Sequence, residues 1–207
     1  MKIYDCEQNS PEWEQARCGI PTASAFSNLI TSTGAESKSM KDYARVLAAE
    51  KFAGHPFTGW EGNKFTQRGH ELEDHARNEY EFLTGNETTV VGFVTDDLGR
   101  YGCSPDRFVG DGVLEIKCCI PKEHIKKLEY YAKHGKPPTE YVAQIQGEMF
   151  VCEKKWVDLV FYCPELPTLI IRQTPDPKIV SALKQALAAV EAERNLVLKF
   201  LKEHKNA

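Results

Sequence analysis

Hydrophobic residues recur every three or four positions over much of the chain, a spacing that predicts amphipathic helices. A capping residue, a proline and an acid at Ser10-Pro11-Glu12 predict the start of the first helix, and Gly19 is expected to end it. The last helix is the longest and carries Ile179, Leu183 and Leu187 on one stripe. After the first helix, the pattern predicts helices over residues 22–30, 40–52, 67–84, 122–133, 141–152 and 177–205.

In the middle of the chain, hydrophobic and polar residues alternate and β-branched residues are frequent, a pattern that predicts strands. Gly110-Asp111-Gly112 is expected to form a tight turn between the second and third of them. The order is helices, a three-strand meander, a helix, two strands and a helix, which predicts an α/β fold with a central mixed sheet flanked by helices. The predicted strands cover residues 88–95, 100–109, 113–119, 156–163 and 169–173.

The composition is typical of a globular protein. The chain has 207 residues, of which 42% are hydrophobic and 27% are charged. This favours one globular domain and argues against intrinsic disorder. No apolar run approaches the roughly 20 residues of a membrane helix, and the first residues lack the pattern of a signal peptide. We therefore expect a cytoplasmic protein that has no membrane partner.

Cysteine and histidine are not arranged as metal ligands. Seven cysteines are scattered without a C-x-x-C pair, and six histidines form no set at metal-ligand spacing. Zinc ribbons, thioredoxin-like redox sites and histidine-based metal sites are thus poorly supported. The net charge of −4 argues mildly against a nucleic-acid partner. This objection is limited, because carboxylates that hold divalent cations would themselves add negative charge.

The densest group of chemically competent residues lies around the predicted turn. Asp106 is followed, after eight residues, by Glu115-Ile116-Lys117. In a hairpin, Asp106 and Glu115 can face each other across neighbouring strands, and side-chain alternation puts Glu115 and Lys117 on one face. Two facing carboxylates repel unless a cation lies between them, and Mg²⁺ prefers such hard oxygen ligands. Lys117 could then help to activate a metal-bound water or stabilise developing negative charge.

This short pattern also occurs in ordinary surface hairpins, where acid and base form a cross-strand salt bridge. Four further segments change the balance, because together with the first they stand in the order typical of one family. The chain resembles the lambda exonuclease family of phage recombination nucleases, within the PD-(D/E)XK superfamily. The resemblance covers residues 13–161 and rests on the segments WEQARCGIPTAS (13–24), GHELEDHA (69–76), GCSPD (102–106), EIK (115–117) and AQIQ (143–146).

The resemblance implies a fold and a domain plan. The fold would be a PD-(D/E)XK, restriction-endonuclease-like α/β core within a single nuclease domain over residues 1–207. N-terminal helices over residues 10–53 would carry a phosphate pocket and elements for DNA entry. The catalytic core would span residues 64–174, and the helix over residues 177–205 would serve packing or a subunit contact.

The resemblance also implies metal ligands. Asp106, Glu115 and the backbone carbonyl of Ile116 would bind Mg²⁺, for which Mn²⁺ can substitute, with two ions in each active site. An acid from the helix over residues 67–84 would complete the set. Glu73 is preferred to Glu71 for this position because it shares a helical stripe with the apolar Ala76 and Tyr80.

Two further side chains would serve catalysis. Lys117 is the lysine of the superfamily core, and Gln144 would orient Lys117 or the attacking water. Gln146 lies on another face of the same predicted helix and is ranked lower.

Three residues match positions that hold the 5′-terminal phosphate in the family. Arg17 would form charge-assisted bonds to that phosphate, and Ser24 and Ser104 would donate hydroxyl groups. A structural salt bridge for Arg17 and a helix-capping role for Ser24 are the alternatives. The chain departs from the family after the second helix, where residues 32–34 read Ser-Thr-Gly in place of a basic residue. Lys38 or Lys41 could substitute.

The segment that precedes the helix over residues 67–84 contains candidates for DNA contact. Lys64 and Arg68 could bind the DNA backbone, and Phe65 could separate the last base pairs. Surface charge and core packing are the competing interpretations of these three residues.

The resulting hypothesis is a metal-dependent exodeoxyribonuclease that uses two metal ions. It would degrade one strand of linear double-stranded DNA in the 5′→3′ direction to 5′-mononucleotides and leave 3′ single strands for recombination. The family resemblance implies a homotrimeric ring around DNA, a single-strand annealing recombinase as partner, and a phage or prophage protein in a bacterial cell. The alternatives are an endonuclease or a nuclease of other polarity on the same core, or a DNA-binding module without catalysis.

Overall fold

The computed structural model of the chain describes residues 1–57 and 64–205, and of residues 64–71 the backbone alone. Its helices begin and end within three residues of most predicted bounds. They are α1 (Pro11–Arg17), a 3₁₀ helix (Ala23–Asn28), α2 (Met40–Ala53), α3 (Lys64–Thr84), α4 (Pro121–His134), α5 (Thr139–Val151) and α6 (Pro177–Glu203). The strands are β1 (Lys2–Tyr4), β2 (Thr89–Val90), β3 (Phe93–Thr95), β4 (Gly102–Cys103), β5 (Arg107–Val109), β6 (Gly112–Cys118), β7 (Trp156–Tyr162) and β8 (Leu169–Gln173).

A mixed five-stranded sheet forms the centre of the fold. Its order is β2-β5-β6-β7-β8, and β6 and β7 are parallel while the other neighbours are antiparallel. Helix α3 packs against β6 on one face, where Leu114 and Ile116 meet Ala76 and Tyr80. Helix α5 packs against β6 and β7 on the other face. The predicted α/β fold with a central mixed sheet flanked by helices is therefore confirmed, whereas the single-domain plan stays a prediction.

A small antiparallel sheet in the order β1-β3-β4 was not predicted. Two predicted strands, over residues 88–95 and 100–109, are each divided between this sheet and the central one. The first breaks at Gly92, where a Cβ atom would lie 2.3 Å from the carbonyl oxygen of Tyr4, so only glycine admits β1. The second breaks at Pro105, which has no N–H for a strand ladder.

The predicted helix over residues 22–30 is also corrected. It is a 3₁₀ helix, Ala23–Asn28, and Thr22 makes no side-chain capping bond. Isolated β-bridges flank it, from Thr22 to Gly102 and from Ile30 to Glu36, so the helical turns are confined to the residues between them. Within the described residues, no helix combines the length and the apolar character needed to cross a membrane.

A buried polar network joins α3 to the central sheet. Asp158 on β7 is 1% exposed. It accepts a hydrogen bond of 2.7 Å from the hydroxyl of Tyr80 and bonds of 2.8 and 2.7 Å from Nε and Nη2 of Arg172. Burial and the neighbouring Asp158 raise the pKa of Tyr80 to about 12, so its hydroxyl remains a donor at neutral pH. This network fixes the C-terminal half of α3 against the sheet.

Replacing the acceptor should therefore destabilise the protein. We expect Asp158→Ala to lower the free energy of unfolding by about 3 kcal/mol, because it removes the charged acceptor of the buried Tyr80 hydroxyl and one partner of an ion pair. Asp111→Ala, which removes only the exposed ion pair with Lys155, should cost less than about 0.5 kcal/mol. Urea unfolding would measure both, and equal values would contradict a stabilising network.

Candidate active site

Strand β6 directs two functional side chains to the α5 face of the sheet. Leu114 and Ile116 point to α3, so alternation sends Glu115 and Lys117 the other way. Glu115 is 3% exposed. The ammonium nitrogen of Lys117 lies 2.5 Å from Oε1 of Glu115. The carboxylate of this ion pair is buried, whereas the side chain of Lys117 is 29% exposed and reaches the surface.

Asp106 lies beside this pair, although it belongs to no strand. It precedes β5, whose register pairs Arg107 with Leu114, so Asp106 stands opposite Glu115 one step beyond the last pair. Its Oδ2 atom accepts a hydrogen bond of 2.6 Å from the backbone N–H of Ile116. The strand break at Pro105 is what leaves that N–H available to a side chain.

Glu73 approaches from the opposite face of the sheet. It lies on α3 in the stripe that includes the buried Ala76 and Tyr80. Its Oε1 atom is 3.4 Å from Nη1 of Arg107, and the same nitrogen donates to the backbone carbonyl of Asp106 at 2.7 Å. Arg107, which was not singled out from the sequence, therefore links Glu73 to the acidic site. The side chain of the competing Glu71 lies outside the described residues.

Helix α5 contributes Gln144 and a carboxylate that sequence reasoning missed. Nε2 of Gln144 donates to Oε1 of Glu115 at 2.6 Å and to Oε1 of Glu148 at 2.8 Å. Glu148 is 1% exposed. The only signal in the sequence was its position four residues after Gln144, on the same helix face. Gln146 faces elsewhere and bonds to the backbone of Thr174 and Asp176 ahead of α6.

The site holds more carboxyl groups than cationic groups. Burial, followed by the charge of Glu115, raises the pKa of Asp106 and that of Glu148 well above the usual range. Burial lowers the pKa of Lys117, but Glu115 and Asp106 outweigh it, so the pKa is raised and the side chain is an ammonium. Three carboxyl groups thus surround one cation.

The donor set fits a hard divalent cation. The Oε2 atoms of Glu115 and Glu148 are buried and have no hydrogen-bond partner among the described residues. At Glu115, whose other oxygen pairs with Lys117, a buried anionic oxygen is costly unless a cation satisfies it. Within the described part of the chain, no three acidic, histidine or cysteine side chains form a ready-made ligand cluster. Lys117 and Gln144 both contact Oε1 of Glu115, so its Oε2 atom is the one that a cation could bind.

Trp13 and Thr22 connect the three residues that were predicted to bind a terminal phosphate, Arg17, Ser24 and Ser104. The guanidinium of Arg17 stacks 4.0 Å from the ring of Trp13 and donates to Oγ1 of Thr22 at 3.2 Å. That oxygen lies 3.4 Å from Oγ of Ser24. Nε1 of Trp13 donates to Oγ of Ser104 at 2.6 Å. Trp13 and Thr22 belong to the motif segment over residues 13–24, which was the available signal for them.

A cavity of about 350 Å³ opens beside Arg17. Trp13, Thr22 and Tyr43 contribute to its lining, whereas Lys38 and Lys41 do not. The two lysines are exposed, near the start of α2. The suggestion that one of them replaces the missing basic residue therefore gains no support from the cavity.

The backbone between Arg17 and Thr22 is held at Gly19. Oε2 of Glu50 accepts a hydrogen bond of 3.0 Å from the N–H of Gly19, and Nη1 of Arg194 donates to its carbonyl at 2.9 Å. Gly19 has φ +68°, and a Cβ atom there would lie 2.7 Å from Cβ of Lys51. Helix α6 thus supports the Arg17 loop through Arg194. The side chains of the DNA-contact candidates Lys64, Phe65 and Arg68 lie outside the described residues.

Comparison with known proteins identifies the family. The model of the YqaJ-like viral recombinase domain matches residues 12–155. The alkaline exonuclease LHK-Exo from Laribacter hongkongensis has 32% identity over 94% of this chain and 97% of its own, with a TM-score of 0.81. Its crystal structure in complex with dAMP matches equally.

A more distant protein shares the fold. The phage-related exonuclease from Haemophilus somnus 129PT has 16% identity over 88% of this chain and 96% of its own, with a TM-score of 0.70. No curated protein matches. The family match includes every segment from Arg17 to Glu148 that builds the site. The family suggested by the sequence motifs is thereby confirmed, and the chain belongs to the YqaJ-like, lambda-exonuclease-like viral recombinase family.

Proposed function

We propose that the protein is a metal-dependent 5′→3′ exonuclease that degrades one strand of linear double-stranded DNA to 5′-mononucleotides. The convergence of Asp106, Glu115, Lys117 and Gln144 at the end of β6 carries this proposal. The similarity to an alkaline exonuclease over nearly the whole chain supports it. The complex of that relative with dAMP supports a mononucleotide product. The remaining 3′ single strand would serve phage-type recombination.

Mg²⁺, or Mn²⁺ in its place, would be held by Glu73, Asp106, Glu115 and the backbone carbonyl of Ile116, with two ions per site. A strand residue directs its N–H and C=O to the same neighbour. The Ile116 carbonyl thus faces the edge where Asp106 accepts the Ile116 N–H. When bound, the cation lowers the pKa of a coordinated water and polarises the phosphodiester.

The protein side chains would divide the remaining work. Lys117, which pairs with Glu115 in the site, would stabilise negative charge that develops on the phosphate or help to activate the attacking water. Gln144 holds Glu115 through its Nε2 atom and presents its carbonyl oxygen as an acceptor for the attacking water or for Lys117.

The group around Arg17 would bind the 5′-terminal phosphate of the degraded strand. Arg17 supplies the charge, and Ser24 and Ser104 supply hydroxyl donors. The stacking of Arg17 on Trp13 supports this role, because it holds the guanidinium plane in place beside a cavity. A pocket for a 5′-phosphate accounts for a 5′→3′ direction.

The wider setting extends the same proposal. The chain would act on DNA ends as a homotrimeric ring with a single-strand annealing recombinase, in the cytoplasm of a bacterial cell that carries a phage or prophage. Lys64, Phe65 and Arg68 would contact the DNA.

The reaction type can be tested with linear and closed circular duplexes. With Mg²⁺, we expect the wild type to degrade the linear duplex alone and Lys117→Ala to lose at least about 100-fold in rate, because the phosphate loses its charge-stabilising donor. Lys155→Ala is the matched control, because it removes an exposed lysine that pairs with Asp111 in the turn between β5 and β6. Cutting of closed circles would favour an endonuclease, and binding without cutting would favour a silent DNA-binding module.

The phosphate pocket predicts a preference between DNA ends. The wild type should degrade a 5′-phosphorylated duplex faster than a 5′-hydroxyl duplex. Arg17→Ala should slow the phosphorylated substrate roughly 10- to 100-fold and leave the hydroxyl substrate little changed, because only the former loses a charge-assisted bond. Arg45→Ala, on the exposed face of α2, is the control. Equal rates on both ends for the wild type would contradict the pocket.

The cation site predicts a measurable affinity in the absence of DNA. In calorimetric titrations with Mn²⁺, Asp106→Asn and Glu115→Gln should each weaken binding at least tenfold, because each removes an anionic ligand. Substitutions of residues that only support metal ligands already weaken metal binding about tenfold, and loss of a ligand should cost no less. Glu123→Gln, an exposed acid on α4, should not change it. Unchanged affinity in both active-site variants would mean that the ion binds elsewhere.

A further inference from the structure

We infer that Glu148 is a positioning residue that fixes the side-chain amide of Gln144 in the active site. The inference rests on the proposed function, because Gln144 matters only if the site hydrolyses DNA. Glu148 belongs to none of the motif positions discussed above. It lies on α5, and it accepts a hydrogen bond from Nε2 of Gln144, the same nitrogen that donates to Glu115.

The geometry of the amide explains the effect. The Nε2 atom of glutamine carries two hydrogens. One is directed to Glu115 and the other to Glu148, at 2.6 and 2.8 Å. Because the amide group is planar, its carbonyl oxygen must point away from both carboxyl groups. Two acceptors thus determine which end of Gln144 is presented to the reacting groups.

One acceptor would not be enough. The last torsion of a glutamine side chain is broad and has no sharp minimum. With Glu115 alone, the amide could swing about a single hydrogen bond and take its carbonyl oxygen out of place. Glu148 removes this freedom without itself approaching the phosphate.

Stability does not explain a carboxyl group at this position. Glu148 is 1% exposed, and its Oε2 atom has no hydrogen-bond partner among the described residues. An apolar side chain would suit its surroundings better, since Ile145, Met149 and Val151 of the same helix are buried in the core. Asp158 offers the contrast, because each of its oxygens accepts a bond from a neighbouring side chain.

The test compares four variants in single-turnover degradation of a linear duplex with Mg²⁺. Glu148→Leu should lower the rate at saturating DNA about tenfold or more, while the Kd for DNA and the Tm are kept. Glu148→Gln keeps an acceptor oxygen and should remain within threefold of the wild type. Gln144→Ala should be slow, and adding Glu148→Leu to it should cause no further loss, because Glu148 acts through Gln144.

Controls separate positioning from other roles. Gln146→Leu, which removes an amide two residues away, should lower the Tm but keep the rate. Mn²⁺ affinity of Glu148→Leu should stay within threefold of the wild type, and a tenfold loss would make Glu148 a ligand and overturn the inference. If Glu148→Leu does not fold, Glu148→Met serves in its place.

Three further results would overturn the inference. They are a wild-type rate in Glu148→Leu, equal losses in Glu148→Leu and Glu148→Gln, and a further loss in the double variant. Each leaves the proposed function intact as long as the wild type degrades linear DNA. Absence of hydrolysis by the wild type would instead remove the proposed function itself.

Discussion

The burial of several carboxyl groups at the end of β6 is the constraint on which the rest of the structure depends. Glu115 is almost fully buried, and Asp106 and Glu148 lie close enough that burial, together with its charge, raises the pKa of both carboxyl groups. Such a cluster persists only because the rigid fold around it supplies partners. Lys117 offers an ammonium, Ile116 offers a backbone N–H and Gln144 offers both hydrogens of its amide.

Much of this arrangement followed from the sequence because it depends on local rules. Helix starts such as Ser10-Pro11 and the short repeat of β6 are set by neighbours along the chain, so alternation placed Glu115 and Lys117 on one face. Contacts between distant segments could not be foreseen. The bond from Trp13 to Ser104 joins residues 91 positions apart, and β1 has only three residues, all exposed, without an alternating pattern. The role of Glu148 could not be predicted from the sequence, because an acidic residue on a helix usually faces solvent.

The break between β4 and β5 connects the two halves of the site. Ser104 accepts a bond from Trp13 in the Arg17 group, and Asp106 binds the N–H of Ile116 at the acidic site. Only Pro105 separates them, and two residues of extended chain span at most about 7 Å. Successive phosphates of one DNA strand are also neighbours, because only one sugar links them. A terminal phosphate held near Ser104 would therefore leave the next phosphodiester within reach of Asp106, which is the spacing that release of single nucleotides requires.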